Sequence, residues 1–284
     1  MTISFKSMNE SLLKISTVRS GGAKLHVFSG GPADAALPPI VFLHAGVCDS
    51  RMWQGQLDAF SSTRRVVAYD RRGFGKTLPV DERYSNVDDL WAVMDDLDVD
   101  RAVLVGCSQG GRIALDATLA QASRVAGLVL VAAAIGGAPY APIDDPRAGA
   151  LMAAYEKAEQ SRDVDEENRI AAHVWLDGPF EPEGRVKGSV RELFLAMNRI
   201  VLIAPRVGTT DAPLTAYANL SRITTPTLAM WGPLDVPSVI DNLKHAAATI
   251  PGARSCAIEA VAHLPNLERA DVFNACLAEF AQSL

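Results

Sequence analysis

The sequence predicts an α/β fold: a mostly parallel central sheet flanked by helices, with a helical insertion between two of its later strands. Short apolar runs alternate with amphipathic stretches along the chain. The runs are continuous rather than alternating, the pattern of strands buried on both faces. The rhythm stops from about 136 to about 215 and then resumes.

Taken in order, residues 12–19 and 24–28 are expected to form two strands around a Gly21-Gly22 turn. Residues 39–43 (PIVFL), 64–69 (RRVVAY), 101–106 (RAVLVG), 126–131 (AGLVLV) and 226–231 (PTLAMW) supply further strands, and 253–258 a weaker one. Helices are expected at 86–98, capped at Ser85-Asn86 with Leu90, Val93, Met94 and Leu97 on one face, and at 109–121. Two more follow, at 237–249, where Pro237 suits a first turn, and at 267–283. The insertion opens on Gly136-Gly137-Ala138-Pro139 and reads as helices at 148–162, 165–176 and 187–200 without a strand. The expected organisation is a core of 1–135 and 216–284, with 136–215 as a helical cap.

Composition narrows the function classes. With 284 residues, 49% of them hydrophobic and 21% charged, the chain can bury a large core, which argues against extensive disorder. A net charge of −6 with no basic stripe argues against nucleic acid as a partner. The 4 cysteines, Cys48, Cys107, Cys256 and Cys276, make no CxxC pair and no zinc spacing, which points to reduced thiols and a cytoplasmic location. The N-terminal MTISFKSMNE lacks a signal peptide's apolar segment, and no apolar run approaches the ~20 residues of a membrane helix. No membrane partner is expected, and a homo-oligomer stays open.

Gly106-Cys107-Ser108-Gln109-Gly110 matches G-x-S-x-G between an apolar strand and a helix. A strand-to-helix turn that sharp forces the serine into a strained backbone and leaves room only for glycine two positions either side. It also lifts the hydroxyl above the sheet at a helix N-terminus, where developing negative charge is favoured. Ser108 is therefore the candidate nucleophile.

Four further segments join GCSQGG: FLHAGVCDSRMW, YDRRGFGKT, WGPLDVP and VAHLPNLER. Together they make the chain resemble the α/β-hydrolase superfamily over nearly its whole length, notably its serine esterase and enol-lactonase members. The resemblance implies the α/β-hydrolase fold, a Ser-Asp-His triad, no cofactor, and a cap between the sixth and seventh core strands.

A serine hydroxyl needs an adjacent base. Of the 5 histidines, His26 and His44 precede Ser108, His173 lies in the insertion and His245 in a helix. His263 sits on a loop before the last helix, where the resemblance puts the base. The acid should hold the imidazole's tautomer and orientation. Asp235, in a loop just past the strand ending at Trp231, matches the family position, and Glu259 is a minor rival. Two backbone N–H donors should hold the oxyanion. Gln109 is one, and motif alignment points to Gly46 for the other, although Ala45 replaces the family's usual glycine.

Several features are read as structural. His44 is expected to order its loop. Asp70-Arg71-Arg72-Gly73 is expected to be a turn with an internal Asp-Arg pair. Gly75-Lys76-Thr77 is no phosphate loop, because Asp70 stands where that pattern needs glycine. Cys48 and Cys107 are expected to pack, and Trp175 is a candidate pocket residue. No metal-ligand cluster is evident.

The expected activity is hydrolysis of a small-molecule carboxylic ester or lactone through an acyl-enzyme on Ser108. One alternative is carbon-carbon hydrolysis of a dienoate, with Arg191 or Arg199 clamping the substrate anion. The other is a slow-turnover receptor on the same fold.

Overall fold

The computed structural model describes residues 13–139, 143–205, 207–211 and 215–284. Eight strands form one sheet: β1 (Lys14–Ser20), β2 (Ala23–Gly30), β3 (Ile40–Leu43), β4 (Val66–Tyr69), β5 (Ala102–Cys107), β6 (Val125–Val131), β7 (Thr227–Trp231) and β8 (Arg254–Ala257). Their spatial order is β1-β2-β4-β3-β5-β6-β7-β8. The hairpin of β1 and β2 pairs antiparallel, as β2 does with β4, and every later pairing is parallel. Gly21 takes the hairpin's positive φ of 55°. Residue 12 of the expected first strand lies outside the described residues.

Every residue of β3, β4, β5, β6 and β7 is buried, which is why their sequences run apolar without alternation. Side chains still alternate between faces. Leu104, Leu128 and Leu130 pack with Leu90, Val93 and Met94 of α2 (Asn86–Asp96), Ile113 of α3 (Gln109–Ala120) and Leu243 of α7 (Pro237–Thr249). Val103, Val105, Val129 and Met230 face the other way, onto Leu57 of α1 (Gln54–Phe60) and Phe273, Leu277 and Phe280 of α9 (Ala270–Gln282). Ser85 caps α2 by accepting from the Asp88 N–H.

Between β6 and β7 the chain runs through α4 (Pro146–Ser161), α5 (Val164–Ala172), a π turn at His173–Asp177 and α6 (Ser189–Ile203). Ala171, Ala172, Leu176, Phe194 and Met197 of this insertion bury in the same cluster as Phe42, Trp53 and Leu264, so it is seated on the core.

The sequence expectations need three corrections here. α1 was not foreseen: seven residues with Leu57 and Phe60 buried make too short a pattern to detect. The insertion does contain strand, since Thr209-Thr210 pairs parallel with Arg83-Tyr84. The last helix is two pieces, α8 (Pro265–Glu268) and α9, divided at Arg269 with its extended φ of −137°.

Parallel pairing brings the C-terminal ends of β3, β5, β7 and β8 to one edge of the sheet, where ligands of open α/β sheets bind. The loops that leave those ends carry Gly46, Ser108, Asp235 and His263.

Candidate active site

Ser108 sits between β5 and α3 at φ 52° and ψ −116°, a conformation costly for a non-glycine residue. Its neighbours show why small residues surround it. A Cβ on Gly106 would stand 2.3 Å from the Gly110 carbonyl oxygen, and one on Gly110 would stand 2.1 Å from the Leu43 oxygen. The Ser108 N–H donates to Val131 O at 2.9 Å, and its carbonyl accepts from Ala134 N at 3.0 Å, so the strained turn is tied to the end of β6 and the residues just past it.

His263 and Asp235 are both buried, and Nδ1 of the imidazole lies 2.8 Å from Asp235 Oδ2. The other carboxylate oxygen accepts from the Val236 N–H at 2.7 Å. The two loops approach closely because residue 232 is glycine: a Cβ there would be 2.1 Å from Val261 O. Leu234 N also donates to Val261 O at 3.1 Å. Glu259, the rival acid, is exposed.

Ser108 and His263 line one cleft of about 370 Å³ together with Gly46 and Gln109. The remaining wall is Val47 and, from the insertion, Tyr155, Trp175, Asn198, Val201 and Leu202. Trp175 lies over the imidazole with ring centroids 4.7 Å apart. It is carried by the π turn, a feature common at functional sites. The histidine loop is also bound to the insertion by Arg185. That side chain donates to Leu176 O and Asp177 O on the insertion and to Ala260 O on the loop, and it pairs with Glu268, which accepts from Ala262 N at 2.8 Å.

His44 orders its loop. Its Nε2 accepts from the Arg71 N–H at 3.1 Å, so Nδ1 carries the proton and donates to Ala45 O at 2.8 Å. Burial, reinforced by the Arg71 charge, holds its pKa well below the ordinary value and keeps it neutral.

Arg71 is the site residue that sequence reasoning missed. It is buried, and no carboxylate pairs with it among the described residues. One guanidinium nitrogen donates to Gln109 Oε1 at 3.1 Å; another reaches Ala45 O at 3.2 Å and His44 O at 3.4 Å. Its plane rests on Phe74, and its Nε has no partner. It thus braces the loop carrying Gly46 against the residue that follows Ser108. Two consecutive arginines in YDRRG were the available signal.

The Asp-Arg pair expected inside that turn is not formed. Asp70 instead accepts from Ser50 N and Oγ and from Lys76 N, while Arg72 pairs with Asp89 at 2.8 Å and with Glu82. The proposed anion clamps also fall elsewhere. Arg191 pairs with Asp177 and Arg199 with Asp165, and both line a groove apart from the cleft. His173 contacts Glu181 O, and His245 stacks on Tyr217. Cys48 and Cys107 are packed in the core, with Cys107 Sγ donating to His263 O at 3.7 Å. Among the described residues, no group of three or more His, Cys, Asp or Glu side chains could hold a metal ion.

The model of the Alpha/beta hydrolase family matches residues 40–275. The chain belongs to the alpha/beta hydrolase family. It is 24% identical over 274 residues, 93% of each chain, to the 2-hydroxy-6-oxononadienedioate/2-hydroxy-6-oxononatrienedioate hydrolase of Cupriavidus pinatubonensis. Over 105 residues, 36% of this chain and 39% of the relative, it is 37% identical to 3-oxoadipate enol-lactonase 1 of Acinetobacter baylyi. Among solved structures, Est816, described as an N-acyl homoserine lactone degrading enzyme, superimposes with a TM-score of 0.74 at 29% identity, covering 93% of this chain and 100% of its own. As an alpha/beta hydrolase, the chain has a mostly parallel eight-stranded sheet, and none of its described helices is long and apolar enough to cross a membrane.

Proposed function

We propose that this alpha/beta hydrolase cleaves a carboxylic ester or lactone through an acyl-enzyme on Ser108. The observation that carries the reading is the 2.8 Å contact between Asp235 and His263 Nδ1, beside a strained Ser108 in the same cleft. With Nδ1–H donated to the carboxylate, Nε2 is left unprotonated as the base.

Ser108 Oγ attacks the carbonyl carbon as its proton passes to His263 Nε2. The oxyanion accepts from the N–H groups of Gly46 and Gln109. The tetrahedral intermediate collapses, the C–O bond breaks, and His263 returns the proton to the leaving alkoxide. An alcohol departs from an ester; a lactone's hydroxyl stays tethered to the acyl group. Water, deprotonated by His263, then attacks the acyl-enzyme; the second tetrahedral intermediate expels Ser108 Oγ, which takes the proton back from His263, and the acid is released. Residues 136–215 serve as the cap over this chemistry, and the unpaired thiols suit a reducing compartment such as the cytoplasm.

The relative named as a dienedioate hydrolase favours a second reading, carbon-carbon cleavage. Against it, no Lys or Arg is among the described side chains that line the cleft, and neither Arg191 nor Arg199 reaches it. The deciding experiment is a panel of short-acyl nitrophenyl esters, aliphatic lactones and a dienoate, with Ser108→Ala as control. Ester or lactone turnover lost in the variant supports the proposal. Turnover of the dienoate alone moves it to carbon-carbon hydrolysis. Binding without turnover makes the protein a receptor, and activity surviving in Ser108→Ala removes Ser108 as nucleophile.

A further inference from the structure

Two buried asparagines fix which atom one of them can offer a substrate. The Leu195 carbonyl can only accept, so the group facing it at 3.0 Å is the Asn168 amide nitrogen. Asn168 Oδ1 therefore points to Asn198, whose Nδ2 donates to it at 3.0 Å. The remaining polar atom of Asn198 is its Oδ1, a pure acceptor. No described protein group donates to it, and Asn198 lines the cleft that holds Ser108 and His263. An acceptor that opens on the cleft and has no protein donor is free to take a hydrogen bond from a bound ligand.

The same wall holds a donor. The Tyr155 phenol also lines this cleft, and no described group accepts its proton. That leaves the Tyr155 O–H proton for a ligand. Around these two groups the insertion's contribution to the cleft is apolar, from Val201 and Leu202. One acceptor and one donor in an apolar wall match the N–H and C=O of a secondary amide.

We propose that Asn198 Oδ1 and the Tyr155 hydroxyl form an amide subsite, so that the preferred substrates are esters or lactones bearing an N-acylamino group near the scissile carbonyl. The assignment rests on the proposed hydrolysis at Ser108 and extends it to a substrate class.

The test compares α-hexanoylamino-γ-butyrolactone with its ketomethylene isostere, in which CH2 replaces N–H. Wild type should show about a tenfold higher kcat/KM for the amide, the worth of one well-made hydrogen bond. Asn198→Leu should bring that ratio to about one by losing activity on the amide alone. Tyr155→Phe should weaken both compounds, which share the carbonyl, relative to an α-alkyl lactone. A wild-type ratio near one overturns the proposal, as does an equal loss on both compounds in Asn198→Leu. If Asn198→Leu does not fold, the wild-type ratio alone decides. Calorimetric binding of the two lactones to Ser108→Ala reads the subsite without turnover. Tighter amide binding with no wild-type hydrolysis would refute the catalytic reading and keep the subsite; equal binding would refute the subsite.

Discussion

Replacing Arg71 by methionine keeps most of the side chain's bulk and removes its charge and donors. Two costs follow, and they fall on different measurements. For folding, the loss of charge-assisted bonds to Gln109, Ala45 and His44 costs several kcal/mol, but the unpaired ion also no longer has to be desolvated, a gain of similar size. The net change in stability should stay within about 2 kcal/mol. For catalysis, losing an oxyanion donor outright costs about 2.7–4 kcal/mol. Arg71→Met leaves both backbone N–H groups in place and removes only the brace between their loops. About half of that loss is expected, a ten- to thirtyfold fall in kcat. The assay is steady-state hydrolysis of a short-acyl nitrophenyl ester, with kcat and KM resolved and a thermal melt alongside. A folded variant with kcat within twofold of wild type would refute the reasoning, as would a change confined to KM.

Other consequences are equally open to measurement. Asp235→Asn should leave the fold intact and lower kcat by about 10³–10⁴, because the amide no longer holds the His263 tautomer; pre-steady-state acylation would show the loss in the first chemical step. Arg72→Met strips the buried Asp89 of its partner and should destabilise by about 3 kcal/mol in a denaturant titration, without changing kcat of the folded protein. Burial lifts the Asp116 carboxyl from 3.8 to about 6, against the pull of Arg112. The folded chain thus binds more protons than the unfolded one between those values, and stability falls as pH rises through about 6. Asp116→Asn should therefore raise the melting temperature at pH 8 and lose that advantage near pH 4.

The legible parts of the sequence were those where sterics or burial allow few choices. Strands sealed on both faces, such as β5 and β6, must be apolar throughout, so the runs marked them to within about two residues. The turn at Ser108 tolerates nothing larger than glycine at 106 and 110, and that constraint is written in five letters. Long flexible cations were not legible. Arg191 and Arg199 satisfy themselves on Asp177 and Asp165, carboxylates that only the folded insertion brings near. Arg71 and Arg72 are adjacent, yet one enters the site and the other pairs with Asp89 and Glu82. Nor does a two-residue ladder such as Arg83-Tyr84 with Thr209-Thr210 leave any periodicity to read.

The Arg185 tether has a consequence for how this enzyme can be altered. A designer seeking a new substrate range would exchange the insertion as a cassette and keep the rest. Here the cassette carries Trp175, which covers the imidazole, and Arg185, which holds Ala260 and Glu268 in the loop that presents it. A transplant lacking a cation at that place would leave Glu268 nearly buried without its counter-charge and release the segment around His263. The insertion's wall of the cleft and the proposed base are therefore inherited together, and a working chimaera should move residues 260–268 with the insertion or rebuild that pair.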